Sequence, residues 1–102
     1  MFPGDIAERF TREHGCTTAE WQRDLPGAVA GHGLQFDPSG HARVGLAGGG
    51  TLTLRWQALP PRQIALMRMP RLHVDYVFDG VDAAARTAFM KRFDLVLQRG
   101  GG

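Results

Sequence analysis

The chain has one cysteine, one lysine and no apolar run longer than four residues. A single thiol, Cys16, cannot close an internal disulfide. A membrane-crossing helix needs about 20 consecutive apolar residues, and the longest stretch here is residues 64–67. The N-terminus shows no basic segment followed by an apolar one, so no secretory leader is expected. Together these scarcities predict a cytoplasmic protein without a membrane partner. The glycine run Gly48-Gly49-Gly50-Thr51 lacks the lysine of a phosphate-binding loop, and the pattern after it is a strand, not a helix. Eleven of the twelve basic residues are arginine, with Lys91 the exception. Guanidinium suits planar contacts with anions, although arginine-rich codon usage gives the same bias.

A chain of 102 residues with 43% hydrophobic content supports one α+β domain across residues 1–102. Its stability is expected to be on the order of 5–10 kcal/mol, a margin that self-association would supplement. The most informative feature is a change of rhythm at Asp79-Gly80. Before it, Leu72, Val74, Tyr76 and Phe78 alternate with polar residues, the period of a half-buried strand. After it, Ala85, Phe89, Phe93 and Val96 recur every three or four residues, one face of a helix. Asp-Gly between the two patterns is turn chemistry.

Upstream, Asp5 and Glu8 form a candidate cap. Ile6 and Phe10, four apart, predict a first short helix ending at Gly15. Thr17-x-x-Glu20 is a second capping box, opening a helix with Trp21 and Leu25 on one face. Pro26-Gly27 is expected to break or kink it. Leu34 and Phe36 then mark a strand, Asp37-Pro38-Ser39-Gly40 a β-turn, and Ala42, Val44 and Leu46 a second strand. Residues 47–50 read as a hairpin tip. Leu52, Leu54, Trp56 and Ala58 line a third strand that Pro60-Pro61 ends. Residues 62–69 form a fourth strand, and the run before Asp79 the fifth. Residues 100–102 are expected to be a frayed tail.

The predicted fold is therefore α+β: two short N-terminal helices, an antiparallel meander of about five strands, and a long C-terminal helix on one sheet face. The element order is similar to that of helix-grip folds, in which a curved sheet wraps a C-terminal helix around a cavity. The likeness goes no further than element order, and no family signature accompanies it.

Three features bear on function. The polar side of the sheet should carry His41, Arg43, Arg55, Arg71 and His73, a basic face able to meet an anionic ligand or partner. Nucleic acid fits this face poorly, because it offers no aromatic platform for base stacking. Residues 62–69 show no polar side at all, so a second subunit or other protein is expected to cover one of them. Arg55, Ile64, Leu66, Arg68, Arg71 and His73 form the candidate interaction surface. The wide apolar arc of the last helix admits a small apolar ligand between Trp56, Tyr76, Phe89 and Phe93, the candidate cavity. His14-Gly15-Cys16 is the nearest approach to a catalytic pair, but no orienting third group accompanies it. His41 and His73, expected two strands apart, are too distant to share an ion. No catalytic residue, metal or cofactor is expected. The sequence predicts a small binding or adaptor protein, self-associating as a homodimer. Carriage of an apolar ligand is the alternative, and binding of nucleic acid or another anionic partner a second one.

Overall fold

The computed structural model describes residues 6–100, with side chains to residue 98. In chain order the elements are β1 (Arg9–His14), α1 (Thr18–Ala28), β2 (Gly33–Asp37), β3 (His41–Gly45), β4 (Thr51–Ile64), β5 (Met67–Asp79) and α2 (Ala83–Gly100). The strands form one antiparallel sheet in the order β1-β5-β4-β3-β2. Strands β2 to β5 are thus a meander, and the N-terminal strand returns to close its far edge.

The alternation that defines β5 does what its chemistry requires. Leu72, Val74, Tyr76 and Phe78 are buried on one side, while Arg71, His73, Asp75 and Val77 lie on the other. Register carries the buried row across the sheet, pairing Tyr76 with Leu54, Val74 with Trp56, and Leu54 with Ala42. Both helices cover this side. Phe89, Met90 and Phe93 of α2 and Trp21, Leu25 and Ala28 of α1 are buried against it. Thr17 caps α1, accepting from the Glu20 N–H, while the Glu20 carboxylate accepts from the Thr17 N–H. The hairpin between β3 and β4 needs glycine at one position above all. Gly50 has φ +82, and a Cβ there would stand 2.5 Å from the Gly80 carbonyl oxygen, inside contact distance.

The expected first helix is instead strand β1. Phe10, Arg12 and His14 face inward opposite Tyr76, Val74 and Leu72, while Arg9, Thr11 and Glu13 face outward. A spacing of four is also a multiple of two, so Ile6 and Phe10 fit a strand as well as a helix. Pairing with β5 decides between them. The Asp5 cap lies outside the described residues, as does the tail at 101–102. Among the described residues, α1 is the single helix ahead of the meander. Pro26 does not stop it: the helix runs two residues further, to Ala28, without the backbone bond that the Pro26 nitrogen cannot donate.

Residues 62–69 are not a separate strand. Pro60-Pro61 is absorbed by a bulge, where the register shifts between Leu59 and Arg62, and β4 continues to Ile64. The chain then reverses at Ala65-Leu66, with Ala65 in the left-handed region at φ 54. Met67 pairs with Ile64, Arg68 with Gln63, and Met69 with Arg62. The sheet still has five strands, because β1 takes the missing place. His41 and His73 are consequently separated by one strand, β4, rather than two.

Candidate interaction surface

Strand β3 accompanies β4 only as far as Arg55, and β1 accompanies β5 only from Leu72 onward. Beyond those points β4 and β5 continue alone as a two-stranded arm. From Leu72 to Met67 the arm extends about 17 Å at the usual rise per strand residue. The molecule measures 45 × 34 × 22 Å.

Alternation and the bulge fix which side chains share a side of the arm. Leu59, Arg62 and Ile64 of β4 lie with Met67, Met69 and Arg71 of β5 on the sheet's outer face, while Gln63 and Arg68 take the opposite side. The apolar members are in water: Ile64 is 53% exposed, Met67 65% and Met69 44%, and Leu66 at the turn is 99% exposed. The sequence argument required one side of this segment to be covered within the chain. The hairpin leaves both uncovered.

The edges of the arm are poorly suited to strand addition. Pro60, Pro61 and Pro70 lack the N–H that a neighbouring strand would need. The outer apolar side, rather than the backbone edge, is therefore the surface a partner can use.

Two arginines of the arm's outer face share one acid. Arg71 donates to the Glu13 carboxylate at 2.8 Å, and Arg62 lies 3.9 Å from the same group. The Arg71 hydrogen bond holds the Glu13 carboxyl below its ordinary pKa. Arg55 sits directly opposite Asp75, and Asp75 lies 2.9 Å from His73 Nε2. Of the candidate residues, Arg55, Ile64, Arg71 and His73 thus share the outer face. Leu66 caps the turn and Arg68 points the other way.

The four residues of the candidate cavity are packed ring to ring in the core. Tyr76 and Phe93 stand 5.9 Å apart, and Phe89 and Phe93 5.8 Å. Trp21 of α1 packs between Trp56 at 5.8 Å and Phe93 at 6.1 Å. Sequence reasoning did not assign Trp21 to this cluster, although its place in the capped helix, four residues before Leu25, marked it as core.

His14 and Cys16 line a different pocket, of about 500 Å³, with Arg12, Trp21, Asp94 and Leu97. Arg12 pairs with Asp94 and lies over the Phe10 and Tyr76 rings. Burial raises the Cys16 thiol pKa, and Glu20 and Asp24 add to it, so the sulfur stays protonated and weakly nucleophilic. Burial also raises the Tyr76 phenol, whose hydroxyl shares a hydrogen bond of 2.7 Å with His14 Nε2. That nitrogen is then committed to Tyr76 and not free to act on Cys16.

Burial, followed by the Arg12 charge, lowers the His14 pKa. The unfolded chain therefore takes up this proton first as pH falls. Stability from this group is complete above the unfolded value of about 6.5 and is lost as pH drops through the folded value. Urea unfolding at pH 7 and pH 5 should show a larger loss for the wild type than for His14→Gln, which keeps a hydrogen-bonding group for Tyr76. Equal losses would contradict this assignment.

No known protein family, curated protein or solved structure matches the chain. Among the described residues, no helix is long and apolar enough to cross a membrane, and no group of three or more His, Cys, Asp or Glu is placed to hold a metal ion.

Proposed function

We propose that the chain is a small, non-catalytic binding protein, working in the cytoplasm, whose contact element is the β4–β5 arm and whose first partner is a second copy of itself. The observation that carries this reading is the outer apolar row of the arm: Ile64, Met67 and Met69 side by side, with Leu66 at the tip. Contiguous exposed apolar surface of this kind marks an interaction site. The row is suited to a twofold contact, in which one patch meets its own copy. Glu13 supports it by offsetting Arg62 and Arg71, which would otherwise repel their counterparts. Proline along both strands favours packing through the side chains over edge pairing.

The same balance of charge weighs against nucleic acid. A phosphate backbone is held by uncompensated cations, and Arg62 and Arg71 both lie by the Glu13 carboxylate.

Dilution series of amide NMR spectra test the reading. Signals from residues 59–71 should move with concentration, and those of Gln35 and Arg43, at the far end of the sheet, should stay. Shifts spread evenly over the chain, or none at all, would remove the arm as the contact.

A further inference from the structure

A second pocket lies on the opposite flank from His14, where the first three turns of α2 pass the β3–β4 hairpin. Its volume is about 350 Å³, at the small end of the range for small-molecule sites. Its wall is apolar: Leu46, Val81, Ala85, Ala88 and Phe89. Gly48 and Gly49 form one rim without side chains.

Two polar groups of the lining neighbour Phe89. His32 packs edge-on against Phe89, with ring centroids 5.2 Å apart. Its Nδ1 accepts from the Ala47 N–H at 2.9 Å. An acceptor at Nδ1 requires the neutral ring to carry its proton on Nε2, so the ring retains one donor. Arg92 lies three residues after Phe89, a neighbour on the helix surface. It also lines the pocket, and among the described residues no acid forms an ion pair with it. This contrasts with Arg12, Arg62 and Arg71, which each have one.

The other end is set by Asp82, whose carboxylate accepts from the Ala85 N–H at 2.8 Å. Residues 82 and 92 are ten apart, about 15 Å along a helix axis. The anionic group is therefore well separated from Arg92. The groove between them is floored by alanines and one aromatic ring.

We infer that this groove is a binding site for a small monocarboxylic acid with an aryl or short alkyl tail. The carboxylate would meet the Arg92 guanidinium and the His32 Nε2–H. The tail would lie over Phe89, Ala88 and Ala85 toward Val81 and Leu46. An ionised head group forms charge-assisted hydrogen bonds there, and the tail leaves water. Asp82 disfavours a second carboxylate at the far end, so dicarboxylates are excluded. The site is independent of the arm.

Titration with 3-phenylpropionate, followed by amide NMR and calorimetry, tests the inference. The expected result is saturable binding, with shifts at His32, Leu46, Ala88 and Phe89. Arg92→Gln should weaken it at least tenfold without lowering the melting temperature, because Arg92 is exposed. Ala88→Phe, which fills the groove from an exposed helix position, should abolish it. 3-Phenylpropionamide, with the same tail and no charge, should bind at least tenfold more weakly. Absence of saturable binding by the wild type would overturn the site. Equal binding of acid and amide, or an unaffected Arg92→Gln variant, would overturn the role of its charged end.

Discussion

Phe93→Ala is expected to cost about 3–5 kcal/mol, the range for truncating a fully buried aromatic residue. Phe93 is 0% exposed and makes ring contacts with Trp21, Tyr76 and Phe89. It joins all three layers of the core: α1, the sheet and α2. Its removal takes away apolar burial and leaves a void among large rings that cannot all move inward together. A domain of this size has on the order of 5–10 kcal/mol in total. The melting temperature should therefore fall by roughly 12–40 °C, at about 4–8 °C per kcal/mol. Leu95→Ala, two residues on, provides the contrast. Leu95 is 47% exposed and should change stability by less than about 0.5 kcal/mol, as surface positions do. Thermal unfolding of the two variants beside the wild type measures both. Similar losses would mean that α2 does not roof the sheet through Phe93.

The second large effect concerns association rather than folding. Ile64→Ser with Met67→Ser replaces a cross-strand pair at the end of the arm. Both residues are exposed in the single chain, so its melting temperature below the association range should be almost unchanged. In a twofold contact the change removes four apolar side chains. At about 1–1.5 kcal/mol for each half-buried side chain, self-affinity should fall by roughly a thousandfold or more. Serine adds no charge, so the result does not depend on Arg62 and Arg71. Sedimentation velocity of the double variant across the concentrations at which the wild type associates reads the effect. An unchanged profile would place the contact elsewhere on the surface.

Where the sequence was legible, one physical period dominated a segment. Residues 72–78 lie at a boundary between core and water, so burial imposes alternation and the strand can be read directly. Phe89 and Phe93 sit four apart on a helix with one side in the core, and the Thr17–Glu20 cap is a local contact contained within four residues. The misread segments are those whose structure depends on distant partners. Phe10, Arg12 and His14 alternate, but so short a strand is recognisable only against β5. Residues 62–69 were harder still. Two prolines imitate a strand end, yet the bulge accommodates them. The reversal at Ala65-Leu66 uses no glycine or asparagine, the residues that announce a left-handed turn. The consequence was that only Ile64 and Leu66 were assigned to the surface, whereas Met67 and Met69 are exposed with them. The outward placement of Arg55, Arg71 and His73 followed from alternation alone. The pairing of Arg71 with Glu13 did not, because it required knowing that β1 is a strand beside β5. The groove at Phe89 was equally hidden, since it joins His32, the β3–β4 hairpin and Arg92 from separate parts of the chain.

Sedimentation equilibrium of the wild type from about 1 to 100 µM, the range in which a contact of this modest size should assemble, tests the central claim most directly. The arm as a self-docking element predicts a weight-average mass rising from 11.2 kDa toward twice that value. A mass that stays at one chain throughout would contradict it.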